Sequence, residues 1–188
     1  MTDDDSGSSE SDDRGDSGSD YFRRNRSGQF DRLPETEGDR MVEGRPSREA
    51  VVDWWVDRFA VPEDTFADYT LWEKGKGKVW ALPYDLEGPV PVEALGLKLL
   101  RTRQEHWKPT TDAVQRFGRA AEQNVIVLEE DRARRFIAGD DQELDWDGDW
   151  GYLVVAHELA GGVEPIGVGL YTYGELTSMV PKGRRRDL

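Results

Sequence analysis

The sequence offers few residues of the types that catalyse reactions. It contains no cysteine and only two histidines, His106 and His157. Disulfides and thiolate chemistry are therefore excluded, and a zinc site would need carboxylates from distant segments. The acidic residues of segment 145–149 alternate like the start of a calcium loop, but the twelfth position is Ala156, where such a loop needs a bidentate Glu. We predict no metal site and no catalytic residues, so the protein is expected not to be an enzyme.

Motifs that bind nucleotide cofactors are also missing from the sequence. The Lys-rich turn KGKGK, residues 74–78, lacks the spacing of a P-loop, and Gly161 and Gly162 lie in a turn between predicted strands with no helix after them. We therefore predict no cofactor. The three Lys of segment 74–78 are explained equally well as phosphate contacts or as ordinary residues of an exposed turn.

The most distinctive candidate residues are cationic. Arg and Lys stand beside aromatic side chains after a predicted strand, and they gather again near the C-terminus. Such cations can bind phosphates, and an aromatic ring beside them can stack on a nucleobase. The predicted RNA-binding residues are Arg101, Arg103, His106, Trp107, Lys108, Lys182, Arg184 and Arg185. The alternatives are a disordered basic end for the C-terminal group and a core position for Trp107.

The overall charge bears on both the partner and the source. A net charge of −14 argues against a nucleic-acid partner, because a negative field slows the approach of a polyanion. Arg nevertheless outnumbers Lys, and an acidic, Lys-poor surface suits multimolar salt, where charges are screened within about 3 Å. We interpret the composition as that of a halophilic protein; an ordinary acidic protein with an acidic tail is the alternative.

Composition also divides the chain into segments. Residues 1–20 contain almost only Asp, Glu, Ser and Gly, so they lack the apolar surface whose burial offsets the entropy lost on folding. Arg and aromatic residues are interleaved in the next segment, and all seven Trp lie after residue 46. We predict a disordered acidic tail and an Arg/aromatic linker over residues 1–45, with about the first 40 residues dispensable for folding.

Hydrophobic spacing predicts the elements that position the cations. A helix capped by Ser47 ends before Pro62, and two β-rich runs joined by KGKGK form a hairpin, which together make a small subdomain over residues 46–90. The remaining segment, 91–188, alternates short strands with short helices and ends in a β-meander. One of its helices is predicted to be capped by Thr110 or Thr111, and a later short helix, DRARRFIAG, is predicted to end at Gly139. This pattern is typical of an α+β fold with a mixed β pseudo-barrel.

Several motifs in this region carry a resemblance to a known family. They are the opening GLKLLR, the motif WKPTTDA at residues 107–113, the helix DRARRFIAGD, the strand ending PIGVG and the closing GELTSMVPKGRR. From Gly96 to Arg186 the sequence resembles the PUA-like RNA-binding domain at the C-terminus of the Sun-family RNA cytosine-C5 methyltransferases. The segment AVVDWWVDRFAVPEDTFADYTLWEKGKGKVWAL is similar to the smaller domain that precedes it in those enzymes.

The resemblance implies a function without catalysis. It covers no S-adenosylmethionine-binding loop, and the absence of cysteine removes the thiolate that attacks the pyrimidine ring in that chemistry. The expected protein is a PUA-like RNA-binding module, acting in trans on tRNA or rRNA with a separately encoded methyltransferase. The alternative is a protein-interaction adaptor with a PUA-like fold that no longer binds RNA.

The RNA-binding hypothesis and the adaptor hypothesis make different predictions for the arrangement of the cations. RNA binding predicts that the cations form a basic groove, whereas the adaptor predicts that they are dispersed or paired with acids. Since no apolar run approaches the ~20 residues that span a bilayer, we expect a cytoplasmic protein with no membrane partner and no DNA partner.

Overall fold

The chain folds into two mainly antiparallel β-sheets with a few short helices. In a computed structural model, which describes residues 28–40 and 42–186, the secondary structure is α+β. The strands are β1 Phe30–Arg32, β2 Thr70–Lys74, β3 Lys78–Leu82, β4 Leu97–Arg101, β5 Lys108–Pro109, β6 Val125–Leu128, β7 Gln142–Glu143, β8 Gly151–Leu159, β9 Gly162–Thr172 and β10 Glu175–Ser178. The helices are α1 Arg48–Phe59, α2 Thr111–Phe117 and α3 Glu130–Ala138.

The first sheet is an antiparallel meander in the order β1-β2-β3-β4-β5. Its central hairpin is the one that the sequence predicts, with β2 and β3 joined at the Gly-rich turn. Gly75 and Gly77 both adopt positive φ there, a conformation that glycine reaches without steric cost. This turn carries the Lys-rich segment to the end of the sheet where β4 ends and β5 begins.

Helix α1 begins and ends as its sequence predicts. The Ser47 hydroxyl accepts a hydrogen bond from the Ala50 amide, and Ala60 ends the helix in the left-handed conformation, two residues before Pro62. Val51, Trp55 and Phe59 are spaced four residues apart, so these fully buried side chains lie on one face of the helix. The opposite face is left to border a surface groove.

The second sheet has the order β6-β8-β9-β10-β7, with β6 parallel to β8 and the other pairs antiparallel. Helix α2 is capped by the Thr110 hydroxyl, which accepts from the Ala113 amide, and α3 ends at Gly139 with φ +97°. Both helix ends agree with the predicted capping residues.

One core joins the two sheets. The largest cluster of buried apolar residues combines Trp55 of α1, Leu100 of β4, Phe117 of α2 and Val154 of β8. Strands β4 and β5 belong to the same sheet as the predicted 46–90 subdomain, so the sequence boundary near residue 90 cuts through a sheet. Pairing between strands distant in sequence creates this continuity, which local composition does not encode.

Residues 28–45 differ from the linker that the sequence predicts. Strand β1 pairs with β2, Phe30 is fully buried, and the Arg45 guanidinium, itself 4% exposed, contacts Asp31 and Glu73 within 3 Å. These buried contacts argue against the prediction that about 40 residues are dispensable for folding, which a deletion tests. The segment escaped prediction because a three-residue strand among polar residues has no detectable periodicity. The predicted tail, 1–20, lies outside the described residues.

Candidate nucleic-acid interface

Three cations form a row across three neighbouring strands of the first sheet. Arg101 of β4 lies directly opposite Lys78 of β3 on one side and Lys108 of β5 on the other. Residues directly opposite in antiparallel strands project from the same face. The sequence-predicted residues Arg101 and Lys108 are therefore neighbours, and Lys78 of the Lys-rich turn joins them. We call Lys78, Arg101 and Lys108 the cationic row.

A β-bulge adds a fourth cation to this face. Lys98 and Arg101 are three residues apart, which in a regular strand would place them on opposite faces. The register between β3 and β4 shifts between Val79 and Trp80, so that Lys98 lies opposite Trp80 while Arg101 lies opposite Lys78. The Lys98 ammonium stands 4.7 Å from the centre of the Trp80 ring, a cation–π distance.

The cations of this face affect one another electrostatically. Partial burial, followed by the positive charge of Arg101, lowers the pKa of Lys108. Burial, Arg101 and Lys78 lower the pKa of Lys98, and Asp112 offsets this only in part. Both shifts mean that the charged form of the lysine is less favourable here than in water. An anion bound here would offset part of that cost through its attraction to the charged ammonium groups.

The cations of this face also lack carboxylate partners. Among the residues that the structure describes, Lys78, Lys98, Arg101 and Lys108 make no ion pair. Other basic side chains do, including Arg119 with Glu164 and Arg134 with Glu130. Arg103, Arg132 and Lys182 likewise form no ion pair among the described residues, so what sets the four cations of this face apart is their position side by side, in a chain where aspartate and glutamate outnumber lysine and arginine by 39 to 25.

The other predicted cations lie at the margins of the row or away from it. Arg103 is exposed beside the Lys-rich turn, where its backbone closely approaches Gly77. Arg184 forms an ion pair with Asp112 at the start of α2. Lys182 is exposed in a 3-10 helix at residues 182–184. Arg185 lies against Gly139 at the C-terminal end of α3, with its Nε donating to the Val180 carbonyl. Arg185 therefore packs over the end of α3 and ties it to the segment after β10.

The predicted residues His106 and Trp107 line a groove that opens next to the row. The groove has a volume of about 850 Å³. Its walls come from α1, the β4–β5 loop and strands β8 and β9; the lining residues with rings are Trp54, His106, Trp107, Trp150 and Tyr152. We call this the aromatic groove. Trp107 also packs against the main core, as the core interpretation expects, and its stacking on a base stays a prediction.

Hydrogen bonds hold the walls of the aromatic groove together. The Nε of Arg58 on α1 donates to the Tyr152 carbonyl at 2.8 Å, and its guanidinium lies 3.9 Å from the Asp149 carboxylate. On the other side, the Gln104 amide donates both to the His106 carbonyl and to the Tyr152 hydroxyl. Burial raises the pKa of Tyr152 and lowers that of Arg58. These contacts fix the loop and α1 against strand β8.

The row and the groove meet at Lys108 and Tyr152. The Lys108 ammonium lies 5.9 Å from the centre of the Tyr152 ring, and it also contacts the Met179 sulfur at 2.9 Å. A ligand could therefore place an anionic group on the row and an aromatic group in the groove. This is the combination that single-stranded nucleic acids present.

The remaining residues with potential chemistry have structural contacts. The Nδ1 of His157 lies 2.8 Å from the Leu128 carbonyl, joining the parallel strands β6 and β8. Asp149 of the acidic loop accepts a hydrogen bond from the Asn124 side chain. Within residues 28–40 and 42–186 there is no cluster of three or more His, Asp or Glu residues that could hold a metal ion.

Sequence reasoning missed part of this surface. Lys98 sits in a predicted strand, but only the bulge puts it beside Arg101. Trp54 and Trp55 are adjacent in an aromatic pair of α1, and the helical periodicity that buries Trp55 leaves Trp54 toward the groove. That periodicity was the available signal for Trp54. Trp150, in the acidic loop, had no such signal.

The described helices and the comparisons with known proteins complete this picture. None of the helices in the described part of the chain combines the length and the apolar character that a bilayer crossing requires. No curated protein matches the sequence. Residues 12–96, which include α1 and Lys78, are similar to a family described as a family of unknown function, DUF7122.

Proposed function

We propose that the protein is a non-catalytic, cytoplasmic RNA-binding module with a PUA-like fold. In this proposal it acts in trans with a separately encoded cytosine-C5 methyltransferase on tRNA or rRNA. The observation that carries the RNA-binding part is the row of Lys78, Arg101 and Lys108, which has no carboxylate partner among the described residues and lies beside an aromatic groove.

The row supports RNA binding over the adaptor alternative. An adaptor that had lost its RNA contacts predicts cations that are dispersed or paired with acids, as Arg184 is with Asp112. The row is instead concentrated on one face, where Arg101 adds to the cost that burial sets on charging Lys108 and, together with Lys78, on charging Lys98. Phosphate contacts supply most of the affinity of proteins for nucleic acids, and they would relieve this repulsion. The methyltransferase partner and the PUA-like fold rest on the sequence resemblance.

The test is the salt dependence of RNA binding by a row variant. In the full chain, Lys78→Gln, Arg101→Gln and Lys108→Gln are combined, and binding of a fluorescein-labelled single-stranded RNA is followed by anisotropy over a range of KCl concentrations. Each lost phosphate contact reduces the slope of log K against log salt by about 0.7 for single strands. Three lost contacts therefore reduce it by about 2.

A second triple variant controls for the change in net charge. Arg119→Gln, Arg134→Gln and Arg135→Gln remove the same three positive charges from exposed side chains outside the row. We expect this variant to bind RNA with nearly the wild-type salt slope. Equal slopes for the two triple variants, or no RNA binding by the unmodified protein, would refute the proposed function. Circular dichroism at each salt concentration confirms that all three proteins are folded.

A further inference from the structure

The polar side chains that face the aromatic groove differ from those of the row. Asp53 and Asp57 on α1 and Glu105 on the β4–β5 loop line the groove. Among the described residues none of these three carboxylates has an ion pair or a side-chain hydrogen bond. Arg58 also lines the groove, but its guanidinium is already bound to the Tyr152 carbonyl and beside Asp149. The charged groups left for a ligand are therefore carboxylates, and His106 and Thr172 are the other polar side chains of the lining.

The positions of the carboxylates follow from helix geometry. Asp53 and Asp57 are four residues apart, so they lie on the same face of α1, one turn from each other, with Trp54 beside them. The burial of Val51, Trp55 and Phe59 orients this face away from the core. The carboxylates and the Trp54 ring thus belong to one wall of the groove.

Three indole rings from three different elements supply flat apolar surface. Trp54 comes from α1, Trp107 from the β4–β5 loop and Trp150 from the acidic loop directly before β8. Trp150 is 58% exposed, and its only ring contact among the described residues is with Tyr173 at 4.6 Å between centroids. Stacking on such a ring contributes about 1–3 kcal/mol per nucleobase. A free indole face next to unpaired acceptors suits a planar ligand with donor groups on its edge.

Electrostatics separates the two parts of an RNA over this surface. A carboxylate repels a phosphate, so the backbone is directed to the cationic row. The base then enters the groove past Lys108 and Tyr152, where the two surfaces meet. The edge of that base must then donate hydrogen bonds to the carboxylates of the groove.

Among the four RNA bases this requirement selects guanine. Its Watson–Crick edge carries two adjacent donors, N1–H and the N2 amino group, which match the two oxygens of one carboxylate. Adenine and cytosine place one amino donor beside a ring-nitrogen acceptor, and uracil flanks one N–H with two carbonyls, so each would face a carboxylate with at least one acceptor. We propose that the aromatic groove binds an unpaired guanine, stacked on Trp and held at its Watson–Crick edge by Asp53 or Asp57; this rests on the proposed RNA-binding function.

The test compares bases at one position. The full-length protein is titrated against fluorescein-labelled uridine oligonucleotides that carry a single central guanine, inosine or adenine. We expect guanine to bind about tenfold more tightly than adenine, in the range of a good bidentate base contact. Inosine, which keeps N1–H and lacks the N2 amino group, should fall between them.

Two groove variants and one matched control assign the effect to the groove. In Asp53→Asn/Asp57→Asn each amide offers a donor next to an acceptor, so the preference for guanine should disappear while the salt slope set by the row is kept. Glu63→Gln/Asp64→Asn, which makes the same charge change at exposed residues of a 3-10 helix, should keep the preference. Trp150→Ala should weaken binding of all three oligonucleotides about tenfold.

The possible failures are distinguishable. Equal affinity for the three oligonucleotides, or a guanine preference that survives in Asp53→Asn/Asp57→Asn, would overturn the guanine proposal and leave the proposed function standing. If no oligonucleotide binds, both proposals fail. In that case a saturable change of tryptophan fluorescence with tetramethylammonium, lost in Trp150→Ala, would assign the groove to an organic cation instead, because aromatic rings and carboxylates also bind such ions.

Discussion

Replacing Arg45 should destabilise the protein far more than replacing an exposed arginine. The side chains of Arg45 and Glu73 are each 4% exposed and that of Asp31 is 10% exposed; Nε lies 2.8 Å from Glu73 and Nη2 lies 2.9 Å from Asp31. In Arg45→Met the two carboxylates stay buried without the guanidinium. Removing one partner of a buried ion pair costs about 3–5 kcal/mol.

The matched control is Arg32→Met. Arg32 also faces two carboxylates, Glu35 and Asp85, but its side chain is 42% exposed and those of its partners are more exposed still. Solvent and salt screen such pairs, and their contribution is about 0–1 kcal/mol. Arg45→Lys should fall between the two, because one ammonium keeps the charge but cannot reproduce both arms of the guanidinium.

The assay is urea denaturation at fixed KCl concentration, followed by tryptophan fluorescence. The free energy of unfolding is obtained by linear extrapolation, with the slope m compared between variants. A loss for Arg45→Met no larger than that for Arg32→Met would refute the argument that this ion cluster stabilises the packing of Asp31 and Arg45 against β2. The Gly77 amide donates to the other Glu73 oxygen at 2.7 Å, so a loss of RNA affinity in Arg45→Met would report movement of the Lys-rich turn.

Two further predictions concern the domain boundary and pH. Deleting residues 1–40 should abolish or sharply lower the thermal transition, since loss of buried Phe30 alone costs about 3–5 kcal/mol; deleting residues 1–27 should leave the midpoint nearly unchanged, and equal melting of the two would contradict the boundary. The pKa of Lys108 is lowered by burial and by Arg101. As the pH rises, binding of an adenine-only RNA should therefore begin to weaken before the pH at which ordinary lysines lose their protons. Lys108→Arg should remove that decline in binding. In the unmodified protein the free energy of unfolding should rise as Lys108 deprotonates, because its folded-state pKa lies below the unfolded value.

Local signals in the sequence predict most of the elements. The cap at Ser47, the Gly-rich turn between β2 and β3, the cap at Thr110 and the glycine at 139 each act over a few residues, and the structure confirms all four. Strand β1 and the two-residue strands β5 and β7 were missed. They exist because a neighbouring strand offers hydrogen bonds, and a single sequence does not reveal that neighbour.

The candidate site was predictable only in part for the same reason. The cations at 101 and 108 and the aromatic residue at 107 were identified from composition, but their meeting with Lys78 depends on the register of β3 against β4 and β5. Lys98 depends on a bulge. The groove depends on α1 packing beside β8, which places Asp53 and Trp150 on one surface although they are far apart in sequence.

Salt weakens the phosphate contacts of the row in the proposed RNA site and has little effect on the contacts of the aromatic groove. The repulsion between the row cations is reduced as the Debye length shrinks to about 3 Å at 1 M salt, and so is the attraction of the row for phosphate. Stacking on Trp150 and hydrogen bonds to a carboxylate act over van der Waals and hydrogen-bond distances, where screening by mobile ions has little effect. As salt rises, the share of the affinity that comes from the aromatic groove should therefore increase, and base preference should persist where phosphate contacts have become weak. An RNA-binding protein with an excess of carboxylates and a concentrated salt environment would consequently depend on its groove for recognition and on its row mainly for orienting the chain.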